Sequence, residues 1–110
     1  MLFKKRIKPS IQKADTFFEI ITQKETYKIE WSEITKITVY KENFITIDEI
    51  RMEIEYKNEF FTLTEEIENW QEFKKDLNLK LNLLDKNWES NIVQPPFKRN
   101  ETIIFNNLKQ

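Results

Sequence analysis

From Ile50 to Lys57 the chain alternates without a break. Ile50, Met52, Ile54 and Tyr56 fall on one side, and Arg51, Glu53, Glu55 and Lys57 on the other. A strict period of two belongs to an extended chain whose successive side chains point to opposite faces. One apolar and one charged face imply an antiparallel sheet that is buried on one side and wet on the other. Further on the period changes. Ile67, Trp70, Phe73, Leu77 and Leu81 recur at spacings of three and four, one stripe of an amphipathic helix. Any fold for this sequence must accommodate both patterns in that order.

Other strands are predicted around the first. "TFFEIITQ" is rich in β-branched and aromatic residues, "TYKIEW" alternates with Tyr27, Ile29 and Trp31 on one face, and "EITKITVYK" sets Ile37 and Val39 against Tyr40. "EFFTL" follows the clearest strand closely. A two-residue turn at Asn58-Glu59 is predicted there, with Asn58 supplying the left-handed conformation. The chain contains no glycine, and Asn43 is expected to serve the preceding turn in the same way. Thr62 and Glu65 have capping-box spacing, Thr64 competes as N-cap, and Glu65, Glu66 and Glu68 suit a helix N-terminus. The predicted helix runs for roughly 12 to 17 residues.

Pro95 and Pro96 stiffen the segment before the last apolar run, "TIIF". Neither proline donates to a ladder, so the segment is expected to be an arm that seats Phe97 near Trp88 and delivers "TIIF" to a sheet edge. The resulting class is α+β: about five strands in a bent, nearly closed antiparallel sheet or roll, one C-terminal amphipathic helix, and an extended tail. Residues 1–15 read as a basic arm or edge strand, and 16–110 as a single domain.

Composition removes several chemistries. The 110 residues include no cysteine and no histidine, so thiolate nucleophiles, zinc-thiolate sites and imidazole bases are absent. Without glycine there is no phosphate-cradling loop and no nucleophile elbow. The 18 basic and 19 acidic residues leave a net charge of −1, which argues against nucleic acid as the partner. The acid pairs Asp48-Glu49, Glu53/Glu55 and Glu65-Glu66 all have structural readings as turn, wet face and helix start. No catalytic residue, metal ligand or cofactor is expected. The start, "MLFKKRIKPS", has no apolar stretch after its basic residues, so a secretory signal is not expected and the cytoplasm is the expected location.

The words Tyr27-x-Ile29-x-Trp31-x-x-Ile34, Tyr40-Lys41-Glu42-Asn43 before Asp48-x-Ile50, Glu65-Glu66-x-x-x-Trp70, and Trp88…Val93-x-Pro95-Pro96-Phe97-x-x-Asn100-x-Thr102 run in one order. That series resembles a family of small bacterial proteins with a pleckstrin-homology-like fold, some of whose members are suspected immunity partners of secreted polymorphic toxins. The likeness covers roughly Phe17 to Phe105, and Asn69 stands where the family has a helix-start glycine. It implies a non-catalytic protein-binding role, with a toxin as partner. The candidate partner-binding residues are Arg51, Glu53, Glu55 and Lys57 on the wet face, with Trp88, which lies outside the helical stripe. Trp31 and Trp70 read as core. The alternative is a peripheral membrane or lipid-surface module using Lys4, Lys5, Arg6 and Lys8, each cation worth about 1 kcal/mol at an anionic surface. A sheet edge left open by the meander is available to a homodimer.

Overall fold

The structure is a computed structural model and describes residues 9–43, 48–92 and 101–107. Its class is α+β, with two antiparallel sheets and one main helix. Strands β1 (Ser10–Lys13), β2 (Phe17–Ile21) and β3 (Thr26–Glu30) form a three-stranded meander. A 3-10 turn at Trp31–Glu33 leads into β4 (Ile34–Asn43), which pairs with β5 (Asp48–Tyr56). Strand β6 (Glu59–Thr64) follows, then helix α1 (Trp70–Lys80), a short helix α2 (Trp88–Ile92) and β7 (Glu101–Asn106). The second sheet has the order β6-β5-β4-β7, so the last strand returns to the free side of β4 as an edge strand. Where one bent sheet is expected from the sequence, there are two. The 3-10 turn breaks the ladder between β3 and β4, and the basic arm contributes β1 to the first sheet.

The alternating run behaves as its pattern dictates. Ile50, Met52, Ile54 and Tyr56 are buried, while Arg51, Glu53 and Glu55 are partly exposed. The helical stripe is buried along its whole length, from Ile67 through Trp70, Phe73 and Leu77 to Leu81. A chain of rings joins the layers. Phe18 on β2 lies 4.6 Å from Trp31 and 5.1 Å from Phe73, and Trp70 links Phe73 to Trp88 at 6.4 and 6.3 Å. Offset and edge-on ring pairs of this kind add to the burial of their area.

Two bulges shift the period. The register of β4 slips between Ile34 and Lys36, so that Ile34 and Ile37 are both buried. On β7 the slip between Ile37 and Thr38 leaves Ile104 as the extra residue. Ile104 is buried, the adjoining Phe105 packs on the core, and Ile103 faces out. Lys41 continues the inward row of Ile37 and Val39 and is buried too.

The chain makes its turns without glycine. Lys57 and Asn58 both take positive φ, 49° and 64°, between the paired residues Tyr56 and Glu59. The turn therefore sits one residue earlier than expected from sequence, because two successive left-handed residues give the twist a tight hairpin needs. In the β2–β3 loop the Thr22 hydroxyl accepts from the Glu25 amide at 3.0 Å and donates to the Glu25 carbonyl at 3.0 Å. The turn assigned to Asn43 lies outside the described residues, as do the Pro95-Pro96-Phe97 arm and Asn100.

The expected capping box does not form. Glu65 continues the β6 ladder instead: its amide donates to the Ile50 carbonyl and its carboxylate accepts from the Ile50 amide, each at 3.0 Å. The helix begins later, at Trp70, and spans 11 residues. Among the described residues no helix is long and apolar enough to cross a membrane.

Candidate functional site

The outer face of the four-stranded sheet can be assembled from the registers. Glu55 stands between Phe60 on β6 and Lys36 on β4, and Glu53 between Thr62 and Thr38. Arg51 stands between Thr64 and Tyr40. Strand β7 extends these rows with Asn106 beside Lys36, Ile103 beside Thr38, and Glu101 beside Tyr40. Two apolar side chains mark the outer strands, Phe60 at 63% exposure and Ile103 at 40%. Between them run Glu53, Glu55 and Lys36, around a shallow recess of about 30 Å³ that Thr38 and Phe60 also line.

Arg51 is a firmly held charge on this face. Its Nε donates to Glu49 Oε1 at 3.0 Å. That bond, with a smaller contribution from Tyr40, keeps the guanidinium above its ordinary pKa although burial opposes it. A guanidinium held in this way is pre-organised, which suits recognition of a carboxylate or carbonyl.

Three of the residues expected from sequence, Arg51, Glu53 and Glu55, therefore share one surface. Lys57 does not join them. It lies in the hairpin turn with its ammonium 5.3 Å from the centre of the Tyr56 ring. Trp88 is displaced from the partner-facing set altogether. It is 3% exposed, the first residue of α2, and packs edge-on against Trp70, so its ring belongs to the core. Lys4, Lys5, Arg6 and Lys8 lie outside the described residues. Lys36, Thr38, Tyr40, Phe60 and Ile103 complete the face and were not singled out from sequence. The alternation of β4 against β5 carried the signal for the first three; Phe60 and Ile103 depend on a turn position and a bulge.

Other concavities lie elsewhere on the described residues, two of them beside helices. A groove of about 470 Å³ has Trp31, Leu81 and Phe105 among its lining, with Asp15, Ser32, Lys80 and Asn82 at its polar margin. Lys80 is engaged there, donating to the Asp15 carbonyl at 2.7 Å. A cleft of about 190 Å³ beside α2 contains Lys74, Lys75 and Lys86, and Lys74 is bound to both oxygens of Glu89 at 2.5 and 2.6 Å. Among the described residues no group of three acidic side chains is placed to hold a metal ion.

Fold and face together define an α+β domain that presents a mixed-charge sheet surface flanked by two exposed apolar residues. No family model, curated protein or solved structure matches the chain.

Proposed function

We propose that this chain is a non-catalytic protein-binding module of the bacterial cytoplasm, with the outer face of the four-stranded sheet as its recognition surface. The observation that carries the reading is the pairing of exposed Phe60 and Ile103 with the charged rows between them. Protein interfaces combine a few apolar anchors with a polar surround that fixes orientation and excludes wrong partners. Nucleic acid is a poor fit to a face bearing Glu49, Glu53, Glu55 and Glu101. Lack of histidine, cysteine and glycine in the sequence supports the non-catalytic part.

Its specific form is neutralisation of a cognate toxin. The resemblance to suspected immunity proteins supports this, as does a meander followed by the amphipathic α1, which is consistent with a pleckstrin-homology-like architecture. The test is to co-express the chain with the protein encoded beside it and to measure growth and binding. Rescue of growth with nanomolar binding, both lost in Glu53→Lys/Glu55→Lys, supports the reading. A neighbour that is harmless when expressed alone and does not bind contradicts it.

A further inference from the structure

Each of the two sheets has two edges, and among the described residues three of these four edges carry a capped backbone group or an exposed charge within the strand. On β1 the outward backbone groups of Ile11 are both taken by the Asn69 side chain. On β3 the outward amide of Glu30 donates to the Tyr56 hydroxyl at 3.2 Å, and Lys28 adds an exposed charge to the same edge. On β7 the Ile104 carbonyl accepts from the Leu84 amide at 2.8 Å. Charges and capping groups of this kind are how folded chains protect sheet edges.

Strand β6 carries such a bond at the Thr64 carbonyl and a charge at Glu59, at its two ends, and its middle is open among the described residues. The bond from the Glu65 amide to the Ile50 carbonyl fixes the phase of its ladder. Glu59, Phe61 and Leu63 bond to β5, and Phe60, Thr62 and Thr64 turn their backbone groups outward. The Thr64 carbonyl accepts from Ile67 at 3.2 Å. Phe60 and Thr62 have no backbone partner among the described residues. From Phe60 to Thr64 the strand is Phe-Phe-Thr-Leu-Thr, without charge, proline or bulge and rich in residues that favour strands.

We infer that the open edge of β6 pairs antiparallel with β6 of a second copy of this chain, with Phe61 at the two-fold axis. This register matches each Phe60 with the other copy's Thr62, so both residues that lack partners exchange both of their backbone bonds. Phe61 then meets its counterpart at a non-hydrogen-bonded position, where side chains approach most closely. Its ring already packs on Tyr27 and Tyr56, at 5.2 and 6.4 Å, so the contact extends an existing aromatic cluster. Charge favours the antiparallel sense. It brings Lys57, at the start of one strand, toward exposed Glu66 beyond the end of the other. The dimer joins the two outer faces into one continuous surface. It rests on edge geometry alone and stands or falls separately from the identity of any toxin.

Sedimentation equilibrium of the full chain tests this, alongside Thr62→Pro. Position 62 donates nothing to β5, so proline is tolerated on that edge while removing an outward donor. The wild type is expected to show a reversible monomer–dimer equilibrium, and Thr62→Pro to be monomeric with an unchanged circular dichroism spectrum. A wild type that stays monomeric to its solubility limit overturns the inference, as does a folded Thr62→Pro that still dimerises. Should Thr62→Pro not fold, a charge exchange decides. Lys57→Glu is expected to weaken the dimer about threefold to tenfold, and Lys57→Glu/Glu66→Lys to restore it. No change in the first variant, or no recovery in the second, overturns the register.

Discussion

Asn69 and Ile11 are joined as if they were two residues of neighbouring strands. The Ile11 amide donates to Asn69 Oδ1 at 3.0 Å, and Asn69 Nδ2 donates back to the Ile11 carbonyl. A side-chain amide carries one donor and one acceptor side by side, so it can imitate a backbone partner. It does so here at the residue that precedes α1, and its side chain makes no cap bond to the helix. The contact spans 58 positions and ties the first strand to the helix start. Glycine at this position could not make it.

Removing that amide should loosen β1. Asn69→Ala is expected to cost about 1–3 kcal/mol, because two partly buried backbone groups lose their partner. Asn69→Asp keeps the acceptor and loses the donor, so it should also destabilise. Chemical denaturation gives the energies, and hydrogen exchange of the Ile11 amide should accelerate in Asn69→Ala. Unchanged protection of that amide would show that the bond does not hold the strand.

Much of this architecture is legible in the sequence, and the misses have definite causes. The run from Ile50 to Tyr56 and the stripe from Ile67 to Leu81 are periodic signals long enough to specify a face. Glu65 looks like a helix-capping residue because the local spacing is right, yet it bonds to Ile50, 15 residues earlier; only the sheet register brings the two together. Phe60 and Phe61 differ in exposure because the turn is Lys57-Asn58. A shift of one residue exchanges the two faces. At Ile104 a bulge breaks the period, and α2, with five residues, is too short to show a helical one. For the candidate face, the charges of β5 could be read directly, whereas its apolar margins depend on that turn and that bulge.

The Lys57-Asn58 turn offers a second test. Asn58 has φ of 64°, where a β-branched side chain clashes with its own backbone. Asn58→Val should cost about 1–2 kcal/mol. Lys57→Gly, at φ of 49°, should stabilise by up to about 1 kcal/mol, since glycine adopts that conformation freely. Thermal melts of the two variants should move in opposite directions.

Trp70 is buried, and its Nε1 donor has no hydrogen-bond partner among the described residues. Trp70→Phe removes that unsatisfied donor along with some packing, so the two effects oppose each other. The expected net cost is below about 1 kcal/mol. Phe73→Ala, which empties the centre of the ring cluster, should cost about 3–5 kcal/mol. Equal losses in urea titrations of the two variants would contradict this account of Trp70.

Tyr27 should titrate above the ordinary phenol value of about 10. Its hydroxyl donates to Glu25, the main cause of the rise, with burial and the charges of Glu25 and Glu59 adding to it. The raised value means that the folded state favours the protonated phenol. This contribution to stability is fully present below about pH 10 and is lost as pH rises through the folded value. Ring-carbon NMR should show the shift in the wild type and a smaller one in Glu25→Ala, which removes the acceptor. A Tyr27 value unaffected by that substitution would rule out the bond as its cause.

The central claim, that the outer face of the four-stranded sheet recognises a protein, is tested most directly by comparative affinity capture from the native host, read by quantitative mass spectrometry. Three baits are needed: the wild type, Glu53→Lys/Glu55→Lys/Ile103→Ser on the face, and Leu79→Ser at an exposed position on α1. One stoichiometric protein is expected to be retained by the wild type and by Leu79→Ser and to be lost from the face variant, with all three baits equally folded. Equal retention by the face variant, or no protein enriched by the wild type, would contradict it.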